Sequence, residues 1–88
     1  MAVSDEFEQA QVDVKQLAQR PGNDVLLQLY ALYKQGTQGD ATGSRPGMLD
    51  MVGRAKFDAW KGLAGTDPQD AQQRYVDLVR KLEGSAGS

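Results

Sequence analysis

The chain has 88 residues, ten Lys and Arg against twelve Asp and Glu for a net charge of −2, and neither Cys nor His. A chain of this length makes one small domain that buries roughly 60% of its unfolded surface, room for a groove between helices but not for an enclosed large substrate. The composition excludes disulfides and thiolate metal sites, removes the commonest general base and zinc ligand, and offers no basic block for duplex nucleic acid.

The first periodic stretch predicts a helix over about residues 4–19. Phe7, Ala10, Val14 and Leu17 recur at spacings of three and four, Ser4 is placed to cap, and Asp5 and Glu6 suit the positive end of the helix dipole. Pro21-Gly22 stops it. A second helix is predicted over 23–38, opened by Asn23 or Asp24. Val25, Leu26, Leu29, Tyr30, Leu32 and Tyr33 give it a broad apolar face. Gly36 and Gly39 weaken its end. From Gly36 to Gly47 the chain reads as one long loop without a strand pattern. Such a loop either carries function or crosses the bundle so that two consecutive helices run parallel.

A third helix is predicted over 49–63, with Val52, Phe57, Trp60 and Leu63 near one face and Gly65 after it. A fourth is predicted over 67–83, where Thr66 and Gln69 match a capping box and Pro68 suits the first turn. Its stripe is Ala71, Tyr75, Leu78, Val79 and Leu82, and Gly84–Ser88 reads as a frayed tail. The pattern is that of an all-α four-helix bundle, a single domain over 1–88. No apolar run approaches the ~20 residues of a membrane span, and Met1–Glu6 lacks the basic and apolar regions of a secretory signal. A cytoplasmic monomer is the expectation.

Tyr30, Tyr33 and Lys34 are spaced i, i+3 and i+4 and share one helical face. Two rings beside an ammonium suit a flat base and a phosphate. Lys56 adds a second cation, and Tyr75 a third ring. Taken singly, each tyrosine reads as core with its hydroxyl at the surface, and each lysine as a solvated helix residue. The glycines form no P-loop, since no Gly-Lys-Ser/Thr follows them. Asp50, Asp58 and Asp67 read as caps or solvated carboxylates, Trp60 and Phe57 as core, and no metal site is evident.

Tyr30-Ala31-Leu32-Tyr33-Lys34-Gln35, Arg45-Pro46-Gly47-Met48-Leu49-Asp50 and Gly53-Arg54-Ala55-Lys56-Phe57-Asp58-Ala59-Trp60 together resemble the acyl-CoA-binding protein family. Its pattern reads Y-x-x-Y-K-Q-(A/G)-T-x-G-D, R-P-G-x-x-D and G-(K/R)-A-K-(W/F)-x-A-W. The resemblance runs from about Phe7 to Leu82. It implies an up-down-down-up helix order with the long loop between the second and third helices. It also implies non-enzymatic binding, transport and buffering of medium- to long-chain fatty acyl-CoA esters, with no cofactor beyond that ligand and acyl-CoA-using lipid enzymes as partners. The positions matching its ligand contacts are Tyr30, Tyr33, Lys34, Lys56 and Tyr75, with Lys15 a further basic position.

The acyl chain needs an apolar lining, for which Phe7, Ala10, Leu26 and Leu27 are candidates; ordinary core is the competing reading for each. Gly36 stands where Ala is frequent in the family, which loosens the second helix by ~1 kcal/mol. Phe57 stands for the usual Trp and Arg54 for Lys. Two other readings stay open: a protein-interaction or regulatory bundle that keeps the fold without the ligand, and an enzyme such as a thioesterase, against which the lack of His and Cys argues.

Overall fold

The structure, a computed structural model, describes residues 3–86, which form four helices and no strand: α1 (Val3–Val14), α2 (Asn23–Gln38), α3 (Met51–Lys61) and α4 (Pro68–Ala86). α2 has the predicted bounds, but the cap is Gly22, with Asn23 already helical and Asp24 in the first turn. At its other end Gly39 takes φ 79°, which a side chain would resist, and returns its N–H to the Gln35 carbonyl at 3.2 Å.

The other helices differ at their ends. α1 stops at Val14 rather than Gln19. The N–H groups of Lys15 and Gln16 reach back only three residues, to Val12 and Asp13 at 3.1 and 3.0 Å, so the last turn tightens and the chain leaves the helix. Pro21 sets a limit beyond, because it disfavours helical geometry at Arg20. α3 starts at Met51 rather than Leu49 because the Asp50 carboxylate accepts the Gly53 N–H at 2.9 Å and caps it. It ends at Lys61, where Leu63 and Ala64 bond back three residues. α4 opens on Pro68, and the Asp67 carboxylate, not Thr66, takes the Gln69 N–H at 2.8 Å. It continues through Ala86, beyond the expected fraying point at Gly84; Gly87 and Ser88 lie outside the described residues.

Side-chain pairings give the helix directions. Phe7 meets Tyr75 with ring centroids 5.1 Å apart, and Asp13 meets Arg80 at 2.7 Å, so α1 and α4 run parallel. Gln72 donates to the Gly36 carbonyl at 2.8 Å, and farther back along α2 Gln28 and Leu32 share a wall with Leu78, so α2 runs against α4. The Lys56 ammonium lies over Tyr30 and the Lys34 ammonium over Trp60, so α2 and α3 run parallel. The order is up-down-down-up. α4 packs on α1 and α2, and α3 on α2, while α1 and α3 do not pack on each other. The chain from Gly39 to Asp50 is the crossing that a parallel α2–α3 pair requires.

The core lies among α1, α2 and α4: Phe7, Ala10, Leu29, Leu32, Ala71, Tyr75, Val76 and Val79 are buried together. Burial of the Phe, Leu and Val side chains among them contributes ~1.5–3 kcal/mol each. Gly36 also has a packing role. A Cβ there would lie 2.9 Å from Gln72 Cγ, so the glycine permits the α2–α4 contact that the Gln72 hydrogen bond closes.

Beyond the core, the end of α2 is tied down by polar groups. The fully buried Gln35 amide donates to Asp40 and to the Thr66 carbonyl, both at 2.8 Å. Asp40 also accepts the Gly65 N–H at 2.9 Å, and the buried Trp60 indole donates to the Gly39 carbonyl at 2.7 Å. Three separate stretches of chain thus meet at one point.

Candidate functional site

Where α1 ends early, the connector peels away from the bundle and leaves a groove of about 870 Å³ between it, α2, α3 and α4. The tightened turn after Val14 decides this. Had α1 continued to Gln19, Leu17 would sit on its own stripe instead of on a separate wall.

The floor of the groove is aromatic. Tyr30 and Tyr33 come from α2, and Tyr75 from α4. Tyr33 is exposed at 39%, Tyr30 is half-buried, and Tyr75 is buried at 5%. Phe7 stands behind them, 6.1 Å from the Tyr33 ring and edge-on to Tyr75 at 84°, so it fixes both rings from the core side. Burial first, and then the neighbouring Tyr33, push the Tyr75 phenol above its ordinary value. It remains a neutral hydroxyl at neutral pH, able to donate and accept.

The rim is cationic. Lys15 and Arg20 come from the end of α1 and the connector, and Lys56 from α3. The lining contains no carboxylate, although the chain as a whole is acidic. Among the described residues none of these three cations pairs with a carboxylate. The Lys56 ammonium instead rests 5.2 Å from the centroid of the Tyr30 ring. Val14, Leu17, Pro21, Leu26 and Leu29 supply an apolar wall. A cavity with three cations, three phenols and one greasy side takes an amphipathic anion with a flat part.

The structure therefore gathers Lys15, Tyr30, Tyr33, Lys56, Tyr75 and Leu26, as the sequence suggested. It does not bring in the rest. Lys34 turns toward α3, its ammonium 4.9 Å from the Trp60 ring, and is absent from the groove lining. One step along a helix is 100° of rotation, which carries it off the side of Tyr33. Phe7 and Ala10, at 4% and 0% exposure, belong to the core and back the groove rather than line it. Leu27 is half-buried and outside the lining. Arg20 went unread in the sequence because a lone arginine in a connector has no periodicity to mark it. Val14, Leu17 and Leu29 were read as stripe residues, and the same spacing serves core and groove alike. Trp60 is buried as expected and serves the end of α2.

The Acyl CoA binding protein family model matches residues 4–79. An acyl-CoA-binding protein homolog of Manduca sexta is 46% identical over 88 residues, covering 99% of this chain and 98% of its own. Enoyl-CoA delta isomerase 2 of Rattus norvegicus is 48% identical over 85 residues, 97% of this chain, which spans only 22% of that protein's length. The crystal structure of Oryza sativa acyl-CoA-binding protein 2 matches with a TM-score of 0.92 at 36% identity, over 98% of this chain and 94% of that one.

Proposed function

This chain belongs to the acyl-CoA-binding protein family, and on that footing we propose that its groove holds a medium- to long-chain fatty acyl-CoA ester, one per protein, and carries it unconverted. The observation that bears the most weight is the make-up of the lining: Lys15, Arg20 and Lys56 stand around Tyr30, Tyr33 and Tyr75 without a single carboxylate.

Coenzyme A ends in an adenine nucleotide with a 3′-phosphate and a pyrophosphate. Cations at the rim neutralise these groups, and the phenol rings offer a stacking face worth ~1–3 kcal/mol per base in nucleic-acid systems. Because the Lys56 ammonium already lies over Tyr30, the ring for the base and the charge for the phosphate need little ordering when the ligand arrives. The fatty tail follows the wall of Val14, Leu17, Leu26 and Leu29. Each methylene removed from water contributes ~0.8 kcal/mol, so the tail sets affinity while the nucleotide sets selectivity. Lys34 lies one helical turn from Tyr30, and its contribution requires that it leave the Trp60 ring.

Carriage rather than conversion is supported by composition. With no His, no Cys and no carboxylate in the lining, the groove lacks the groups most often used to activate water against a thioester. No helix among the described residues is long and apolar enough to cross a membrane. A cytoplasmic monomer that buffers acyl-CoA and passes it to acyl-CoA-using lipid enzymes fits these features. No observation favours the ligand-free regulatory bundle.

Calorimetric titration with palmitoyl-CoA, coenzyme A and palmitate tests the assignment. The expected order is tightest for palmitoyl-CoA, with palmitate far weaker. Equal affinity for palmitate and palmitoyl-CoA would remove the nucleotide from the groove.

A further inference from the structure

We propose that the protein has a second ligand site, on the far side of α2 from the groove, that takes a medium-chain fatty carboxylate. α3 packs on α2 alone, so it stands clear of α1 on one side and of α4 on the other. The first gap opens into the groove already described. The second is a furrow of about 530 Å³, floored by Ala31 and Leu32 of α2 and walled by Ala59 and Leu63 of α3 and by Arg74 and Leu78 of α4. Leu32 lies roughly 160° around α2 from Tyr30, so the helix itself stands between the two sites.

Helix directions give the furrow its length. Lys34 beside Trp60 and Gly36 beside Gln72 set the levels of α3 and α4 along α2. Leu63 and Arg74 then fall toward the end of α2, and Leu78 toward its start, where Gln28 closes the lining with an amide. The span is ~13 Å along the helix axis. Ala31 and Ala59 keep it open, because neither side chain extends past its Cβ. A medium-length chain fits this stretch, and a long one overhangs Gln28.

Arg74 is the one charged group in the lining. Asp70 at i−4 and Asp77 at i+3 are partners that a helical arginine ordinarily takes, yet among the described residues Arg74 pairs with no carboxylate. Asp77 accepts the Gln73 amide at 2.9 Å instead, and Asp70 lies in the first turn of α4, where the helix dipole favours it. Helical side chains lean toward the start of their helix, which carries the guanidinium toward the Leu63 end and leaves the apolar stretch running away from it. A guanidinium fork takes a carboxylate through two parallel hydrogen bonds. One fork over an apolar slot matches one negative charge on one chain, whereas the several phosphate charges of a coenzyme A ester would go unmet. A fatty acid is what a thioester yields on hydrolysis and what its synthesis consumes, so ester and acid would ride on opposite faces of α2.

The test is an amide chemical-shift titration with sodium decanoate, on protein saturated with palmitoyl-CoA so that the groove is filled. Saturable one-to-one shifts are expected at Ala31, Ala59, Leu63 and Leu78, with palmitoyl-CoA retained. Arg74→Glu, at an exposed position, weakens decanoate by at least roughly tenfold. Ala59→Met, which fills the furrow without touching its charge, weakens it by a similar factor. Both variants keep the wild-type affinity for palmitoyl-CoA. Decanol binds several-fold more weakly than decanoate, and decylamine more weakly still. The proposal is overturned if the furrow amides do not saturate, if Arg74→Glu binds decanoate as wild type does, or if decanol equals decanoate. Displacement of palmitoyl-CoA by decanoate would also overturn it, by placing the acid in the groove.

Discussion

Tyr30 and Gln35 lie on the same helix, yet their surroundings treat polar atoms in opposite ways. At the Gln35 end donors meet acceptors, the Gln35 amide N–H groups with Asp40 and Thr66, the Gly65 N–H with Asp40 and the Trp60 indole with Gly39, and the buried Gln35 Oε1 alone of this group has no partner. At the Tyr30 end, Lys15, Arg20, Lys56 and the phenols converge on open space with no carboxylate to satisfy them. Polar groups that find partners inside the protein hold the loop and α3 to α2. Polar groups left without partners, but held in place, are what a ligand meets. Lys34 sits at the boundary, resting on the buried Trp60.

Substitutions on either side separate the two regions. Trp60→Ala, at the closed end, removes a buried ring and strands the Gly39 carbonyl. It should cost about 4 kcal/mol and lower the melting midpoint by on the order of 20 °C, read by thermal and urea unfolding. A midpoint near wild type would mean that the closed end does not hold the fold. Lys56→Ala, at the open end, should leave the midpoint nearly unmoved while weakening palmitoyl-CoA binding about tenfold, with Tyr30→Phe smaller, at about threefold. Lys34→Ala sharpens the boundary. A loss equal to that of Lys56→Ala would show that Lys34 leaves Trp60 for the ligand.

The smallest effect is a pH dependence. The Gln35 amide, and after it the Gly65 N–H, hold the Asp40 carboxyl below its ordinary value. A carboxyl lowered in the folded state adds stability above the unfolded value of about 3.9, and that stability disappears as pH falls through the folded value. The gap in urea midpoint between wild type and Asp40→Asn should therefore be present at neutral pH and close in acid. The lowered carboxyls Asp13 and Asp58 are common to both proteins and cancel. A gap that persists at low pH would mean that Asp40 acts by shape rather than charge.

Periodicity made the four helices legible, α2 most nearly, because its apolar face runs unbroken between Pro21-Gly22 and Gly39, although the loop expected from Gly36 begins only after Gln38. The end of α1 was not legible. Leu17 continues the stripe of Val14 but faces the groove, and spacing alone does not separate the two fates. The same ambiguity left Phe7 and Ala10 open between lining and core, and both are buried in the core. Helical spacing fixed where Tyr30, Tyr33 and Lys34 start from their helix, but not what a four-carbon stem leans on at its tip. Lys56 and Tyr75 arrive from helices that the chain reaches much later, so their convergence with Tyr30 came from the family pattern and not from physics within one helix. Asp40 shapes the loop through Gln35, a residue whose burial no pattern announced.

The parallel pairing of α1 with α4 has a consequence for how the molecule comes into being. Asp13 and Arg80 join across 67 positions, and Phe7 waits for Tyr75. Contacts so distant in the chain charge their loop entropy before they return anything, which slows folding relative to bundles whose neighbours in sequence are neighbours in space. During translation, the first three helices have no completed core to join. Because α1 packs on α4 and on no other helix, the core that holds Phe7 closes only when the fourth helix is in place.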